Sequence, residues 1–395
     1  MVFSKNRQIV IEKEALTTLG LMKEGTLSPV ENFMNKEESY LVDKNGTYRG
    51  LPFPLSLTFA PNGKRNQETI KSAKKDEILD IYCEDKKVGF VRVDEVFEID
   101  QKEKIYRIFD DTEENKPIIN YLLKKLGNFA ISGNFDIEYD DIKKIKDEIS
   151  AKIQSLNAKV VSAIMMVANP FHRAHERLLR VTLEKSDLVV IFLLKHSTNS
   201  DLLPLEYRHK ALQYFIENYV HKNNILIIPF DNTYIYANNK NAILKCIIAK
   251  NFGCNRIAFG EYHDGLGMFY DKNQVRTSLE NYKNLINVDL VAKLVYCNEC
   301  NTLVNAKTCP HGHHRHIKYN SNSLIELLRN GILPPAILMR KDISAILLSL
   351  IFPNRFKNVT QIYDDLFPGI GLIETHSDRD FYIELMKLYQ TTSLT

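Results

Sequence analysis

The stretch "VVSAIMMVANPFHRAHERLL", residues 160–179, decides how this chain reads. It opens on a nearly unbroken apolar run, the pattern of a strand buried on both faces of a parallel sheet. Asn169-Pro170 then turns the chain, and an amphipathic pattern starts close to His172, predicting a helix that opens at the strand's carboxyl end. Open α/β sheets bind their ligands at that end. The first helical turn there offers N–H groups and a positive dipole end to a polyphosphate. His172 and His175, three residues apart, are neighbours on one helix face and can both donate to one phosphate chain. Two isolated histidines more often pack or cap a helix, but the strand-turn-helix setting favours phosphate contact.

Working outward, the same alternation recurs. The apolar runs "DLVVIFLL", "NILIIPF", "NRIAFG" and "VDLVAKLVY" are separated by helical segments such as "EYRHKALQYFIENYV". This predicts a parallel sheet covered on both faces, over residues 155–330. Upstream, Ile142, Ile145, Ile149, Ile153 and Leu156 recur three or four apart among charges, the spacing of a connecting helix. Residues 1–154 begin with short β-branched and aromatic runs ("QIVIE", "LPFPLSLTF", "EILDIYCE", "KVGFVRVDEVFEI", "NFAISGNFDIEY"), a β-barrel or sandwich-like pattern. Residues 331–395, with "DISAILLSLIF" and "DRDFYIELMKLYQ", read as a small helical region.

A chain of 395 residues, 44% hydrophobic and 26% charged, suits two or three soluble domains. A formal charge of +3 calls for neither nucleic acid nor an anionic membrane. The N-terminus lacks a secretory signal pattern, and no apolar run approaches the ~20 residues of a membrane span. Cys83, Cys246 and Cys254 are scattered while Cys297, Cys300 and Cys309 cluster, which suits a reducing cytoplasm and one metal site. In "CNECNTLVNAKTCPHGHHRH", residues 297–316, two thiolates from one tight turn, a third thiolate and an imidazole would close a tetrahedral structural zinc site. His311, His313, His314 and His316 are the imidazoles available. A redox role for Cys-x-x-Cys would leave Cys309 and these histidines unexplained.

The segment "NPFHRAHE", residues 169–176, matches without a gap the second part of Gln-Thr-Arg-Asn-Pro-x-His-Arg-Ala-His. That is the central motif of the sulfate adenylyltransferase (ATP sulfurylase) family, which the chain resembles along nearly its whole length. "EGTLSPVENFM" (24–34), "LLPLEYRHKAL" (202–212), "FGEYHDGLGMFY" (259–270), "TCPHGHHRH" (308–316) and "LLRNGILPPAILMR" (327–340) resemble further family segments in the same order. The resemblance implies an N-terminal PUA-like β-barrel and a central Rossmann-like nucleotidyltransferase domain with a parallel sheet. It implies a reaction of ATP with sulfate, magnesium accompanying ATP, that gives adenosine 5′-phosphosulfate and pyrophosphate. It places Asn169, His172 and His175 on the phosphates and Gly260, His263 and Arg208 near the nucleotide. It points to His313 as the fourth zinc ligand and to a homodimer.

The departures from the family pattern fall on the anion side. Met166, Val167 and Ala168 stand at Gln-Thr-Arg, so the arginine that grips sulfate is replaced by a methyl group. Glu261 replaces an arginine, Tyr262 an aspartate and Asp264 an alanine. Asn320, Ser321 and Asn322 replace phosphate-contacting small residues, and Ile325 an arginine. Placing sulfate against Glu261 and Asp264 is unfavourable in a partly buried pocket. The expectation is a diverged member with a degenerate anion motif. Its acceptor would be sulfate or another group, or it would bind nucleotide without turnover.

Overall fold

The computed structural model describes residues 6–109, 120, 123–195, 202–230, 239–260, 285–292, 294–305, 307–367 and 375–388. The N-terminal part runs β1 (Gln8–Ile11), α1 (Lys13–Lys23), α2 (Lys36–Asn45), β2 (Thr47–Tyr48), β3 (Leu51–Pro52), β4 (Phe59–Pro61) and α3 (Lys64–Lys71). It continues with β5 (Ile78–Cys83), β6 (Lys86–Glu98), α4 (Gln101–Phe109) and β7 (Leu126–Ile137). Five of these strands form a mainly antiparallel sheet of order β1-β5-β6-β7-β4. Glu84 and Asp85, both at positive φ, make the two-residue hairpin turn between β5 and β6.

The connecting helix α5 (Asp141–Leu156) forms where the isoleucine spacing predicts it, and its Ile142 and Ile149 are buried. The central part follows with β8 (Val161–Met166), α6 (Arg173–Leu183), β9 (Leu188–Leu194), α7 (Leu205–Tyr219), β10 (Ile225–Phe230), α8 (Asn239–Asn251), β11 (Arg256–Gly260) and β12 (Asn287–Val291). These strands make one sheet of order β10-β9-β8-β11-β12, and all its pairings are parallel. Every residue of β8 and β9 is buried because both faces of the sheet are covered. Val161, Ala163 and Met165 face an apolar cluster shared with the N-terminal sheet and α8. Ile164 and Met166 face a second cluster, with Leu178, Phe215 and the C-terminal Ile343 and Leu347. The strand order reverses between β8 and β11, which makes the carboxyl end of β8 the switch point of the sheet.

A small three-stranded ribbon of order β14-β13-β15 comes next, from β13 (Val295–Cys297), β14 (Thr302–Val304) and β15 (His316–Lys318). Helix α9 (Ser321–Arg329) follows the ribbon, and the expected helical C-terminal region holds α10 (Lys341–Ile351), α11 (Val359–Leu366) and α12 (Asp378–Leu388). Among the described residues no helix is long and apolar enough to cross a membrane.

Candidate active site and metal ribbon

The chain leaves β8 through Ala168, whose φ of 49° is left-handed and strained for a residue with a Cβ. Asn169 Oδ1 accepts the Leu203 N–H at 2.8 Å, which ties the turn to the entry of α7 and leaves the amide nitrogen as the group that could donate to a ligand. His172, in extended conformation, is the N-cap of α6. His172 and His175 are 3% and 2% exposed, and their ring centroids are 3.9 Å apart. His175 Nδ1 accepts the His172 backbone N–H at 3.3 Å, so in the neutral ring the proton sits on Nε2 and that edge is a donor. Phe171 stacks on His175 and Tyr319 on His172, at 5.7 and 5.4 Å between centroids.

The first turn of α6 is less open than expected. The Arg173 N–H is already taken by the Leu338 carbonyl at 3.0 Å. Three consecutive carbonyls of the loop before α10 serve this site: Ala336 accepts from Arg173 Nε at 3.1 Å, Ile337 from the Tyr319 hydroxyl at 2.9 Å, and Leu338 from the Arg173 amide. Glu176, in the favoured first-turn position for an acid, is buried between Arg173 Nη1 at 3.3 Å and Arg340 Nε at 2.9 Å. Sequence reasoning missed Tyr319, Arg340 and the pairing of Glu176. A buried first-turn acid signals a cation partner, but nothing local identifies one 164 residues away.

Arg208 is engaged by backbone carbonyls. It is 1% exposed and donates Nε to the Leu203 carbonyl at 2.9 Å and Nη1 to the carbonyls of Leu194, at 2.8 Å, and Val167. The Val167 and Leu194 oxygens lie at the carboxyl ends of β8 and β9, so the guanidinium ties those strand ends to the entry of α7. Gly260 ends β11 and, two positions beyond the Ala258–Ile164 pair, lies level with Met166 at the same edge. His263, together with Glu261, Tyr262 and Asp264, lies outside the described residues.

The anion side is apolar where it is described. Ala168 is 0% exposed and shares an apolar cluster with Met166 and Phe171. Ile325 is buried on α9, and the Asn320 side chain is spent capping that helix through the Ser323 N–H at 3.0 Å. Of the cations that could substitute, Arg173 is paired with Glu176, and Lys195 follows β9, half-buried.

In the ribbon the sulfurs of Cys297, Cys300 and Cys309 lie 3.5, 3.3 and 3.6 Å from His311 Nδ1, and Cys300 and Cys309 are 3.8 Å apart. A tetrahedral zinc ion with ordinary bond lengths requires about 3.8 Å between sulfurs and about 3.6 Å from sulfur to nitrogen. The donor set therefore fits a metal. Burial works against the Cys297 thiolate, but the N–H groups of Cys300 and Glu299 together with the Cys309 and Cys300 thiols outweigh it and lower the thiol to about 7. The histidine brought to the sulfurs is His311, not His313. His313 instead opens an exposed 3₁₀ turn, its ring 5.7 Å from that of His316. His316 Nε2 lies 3.3 Å from Cys309 Sγ, placed to hydrogen-bond a ligand sulfur.

The model of the ATP-sulfurylase family matches residues 140–350, more than half of the chain. The chain belongs to the ATP-sulfurylase family. A PUA-like domain model matches residues 3–140, upstream of the ATP-sulfurylase module. Among relatives, the sulfate adenylyltransferase of Psychrobacter sp. (strain PRwf-1) is 25% identical over 352 residues, covering 85% of this chain and 82% of the relative. The sulfate adenylyltransferase of Persephonella marina is 26% identical over 362 residues, covering 87% and 90%. A solved structure, the hexameric APS kinase from Thiobacillus denitrificans, superposes with a TM-score of 0.64 at 14% identity. It covers 87% of this chain but 62% of its own, so this family member spans less than two thirds of that structure, and the likeness is one of fold.

Proposed function

We propose that this chain is a nucleotidyltransferase of the sulfate adenylyltransferase type. An acceptor oxygen, that of sulfate in the leading reading, attacks the α-phosphorus of magnesium-bound ATP. The bond from that phosphorus to the α,β-bridging oxygen breaks, and pyrophosphate leaves with the electron pair. The observation that carries this reading is the buried His172–His175 pair at the switch point of an ATP-sulfurylase module. The Nε2–H edge of His175, the His172 ring and the Asn169 amide nitrogen are the donors assigned to the α- and β-phosphates. Positioning and charge stabilisation carry the rate, without a covalent intermediate. Cys297, Cys300, Cys309 and His311 hold a structural zinc; four protein ligands leave it no open position for chemistry. Six free thiols fit a reducing, cytoplasmic setting.

The buried methyl of Ala168, with Met166 and Phe171 beside it, favours a second reading: the chain binds nucleotide without turning sulfate over. Pyrophosphate release from ATP across a panel of oxyanion acceptors separates the two. Turnover of ~1 s⁻¹ or faster with sulfate, reduced about 10²–10³-fold by His172→Ala or His175→Ala, supports the enzyme. ATP binding with no release for any acceptor supports the second reading.

A further inference from the structure

Tyr319 is the first residue after β15, the ribbon strand that pairs His316 with Cys297. We propose that Tyr319 is a positioning residue for His172, and that the ion in the ribbon sets where Tyr319 stands. Metal occupancy then tunes nucleotide affinity at the histidine pair. This rests on the reading that the pair binds nucleotide phosphate.

The His172 imidazole packs against two rings. Its partner His175 lies 3.9 Å away and the Tyr319 ring 5.4 Å away at an interplanar angle of 26°. Buried and packed against two rings, the imidazole has little room to turn, which is the condition for donating to a phosphate without reorganisation. The Tyr319 hydroxyl donates to the Ile337 carbonyl, between the two carbonyls that hold Arg173 at the start of α6. One tyrosine thus joins the ribbon, the loop before α10 and the helix that presents the histidines.

On its other side Tyr319 depends on the ribbon. The ribbon's own apolar cluster holds three buried residues, Val295, Cys297 and Val304, packed with Cys300 and Cys309. Strands of three residues around so small a cluster need a metal to stay folded. Removing the ion frees Cys297, then its partner strand β15, then Tyr319. Nothing in the sequence signals this link, because Tyr319 and His172 are far apart in the chain.

The test is ATP affinity by titration calorimetry for zinc-loaded and chelator-stripped protein, each as wild type, Tyr319→Phe and Tyr319→Ala. Tyr319→Ala is expected to weaken ATP about three- to tenfold, and Tyr319→Phe, which keeps the ring, less than about twofold. Stripping zinc is expected to weaken the wild type by a similar factor and to add less than about twofold to Tyr319→Ala. Equal, additive losses in wild type and Tyr319→Ala overturn the coupling, and unchanged affinity in Tyr319→Ala overturns the positioning role. If stripping unfolds the whole chain, Cys309→Ser replaces it as the metal-site perturbation. The His172 ring resonance, identified by its loss in His172→Gln, reports independently of ATP. It should move on Tyr319→Ala and on zinc removal. If the wild type does not bind ATP, the nucleotide reading fails alone and this resonance decides: movement upholds the positioning, and a fixed signal overturns it.

Discussion

Arg208 and Lys245 are two buried cations with opposite surroundings. Arg208 satisfies the carbonyls of Val167 and Leu194, at the ends of β8 and β9, and of Leu203 before α7, so Arg208→Met leaves those oxygens unpaired and should cost about 3 kcal/mol or more. Chemical denaturation should show that loss, while ATP affinity of the folded fraction changes little; a selective loss of ATP binding would instead support a nucleotide role for Arg208. Lys245, on α8, is 1% exposed, and burial lowers its amine from the ordinary 10.5 to about 8. Below about pH 8 both folded and unfolded amines are protonated and the burial cost is full. Between 8 and 10.5 the unfolded chain binds more protons, so stability rises with pH; above that range the cost is gone. Lys245→Met should therefore stabilise by about 3 kcal/mol at pH 7, a gain that fades towards pH 10.5. A gain that does not vary with pH would show that folding leaves the titration of this amine unchanged.

At the scale of elements, the ribbon is the piece whose Cys/His cluster could hold a metal ion, and its fold is proposed to depend on one. His311→Ala should weaken zinc more than about 100-fold and lower the melting temperature, while His313→Ala should keep one zinc per chain. Metal content after dialysis checks both, and the reverse outcome would return His313 to the site. The three cysteine ligands were legible in the sequence because Cys-x-x-Cys spacing is local. The choice among four histidines was not, because only the folded ribbon brings one of these closely spaced rings to the sulfurs. Strand β8 and helix α6 were legible for a similar reason: a run of apolar residues and a 3.6-residue period are properties of neighbours in sequence. The engagement of α6's first turn by Leu338 was not, since a carbonyl's acceptor is available to any donor the fold delivers.

On the scale of the whole molecule, one apolar cluster runs from Ile9 and Leu21 in the N-terminal part through α8 to the central sheet. Asn251 at the end of α8 donates to the carbonyls of Thr26 and Ser28, both at 3.1 Å. Residues 6–350 should therefore melt as one cooperative unit. Asn251→Ala should lower stability by about 1–3 kcal/mol and shift that single transition without splitting it. Two separate calorimetric peaks in the wild type would refute the shared core.

What the sequence determined by itself was the order of elements, the parallel sheet, the histidine pair at its edge and the cysteine ligands. Each of these is written in spacings shorter than one element, where backbone geometry converts period into structure. Only the tertiary structure decided that Arg208 serves carbonyls, that His311 joins the thiolates, and that Tyr319 and Arg340 close around the histidines and Glu176. Those assignments depend on groups brought together from distant segments. Burial and hydrogen-bond satisfaction select among chemically equivalent candidates only once the chain has folded.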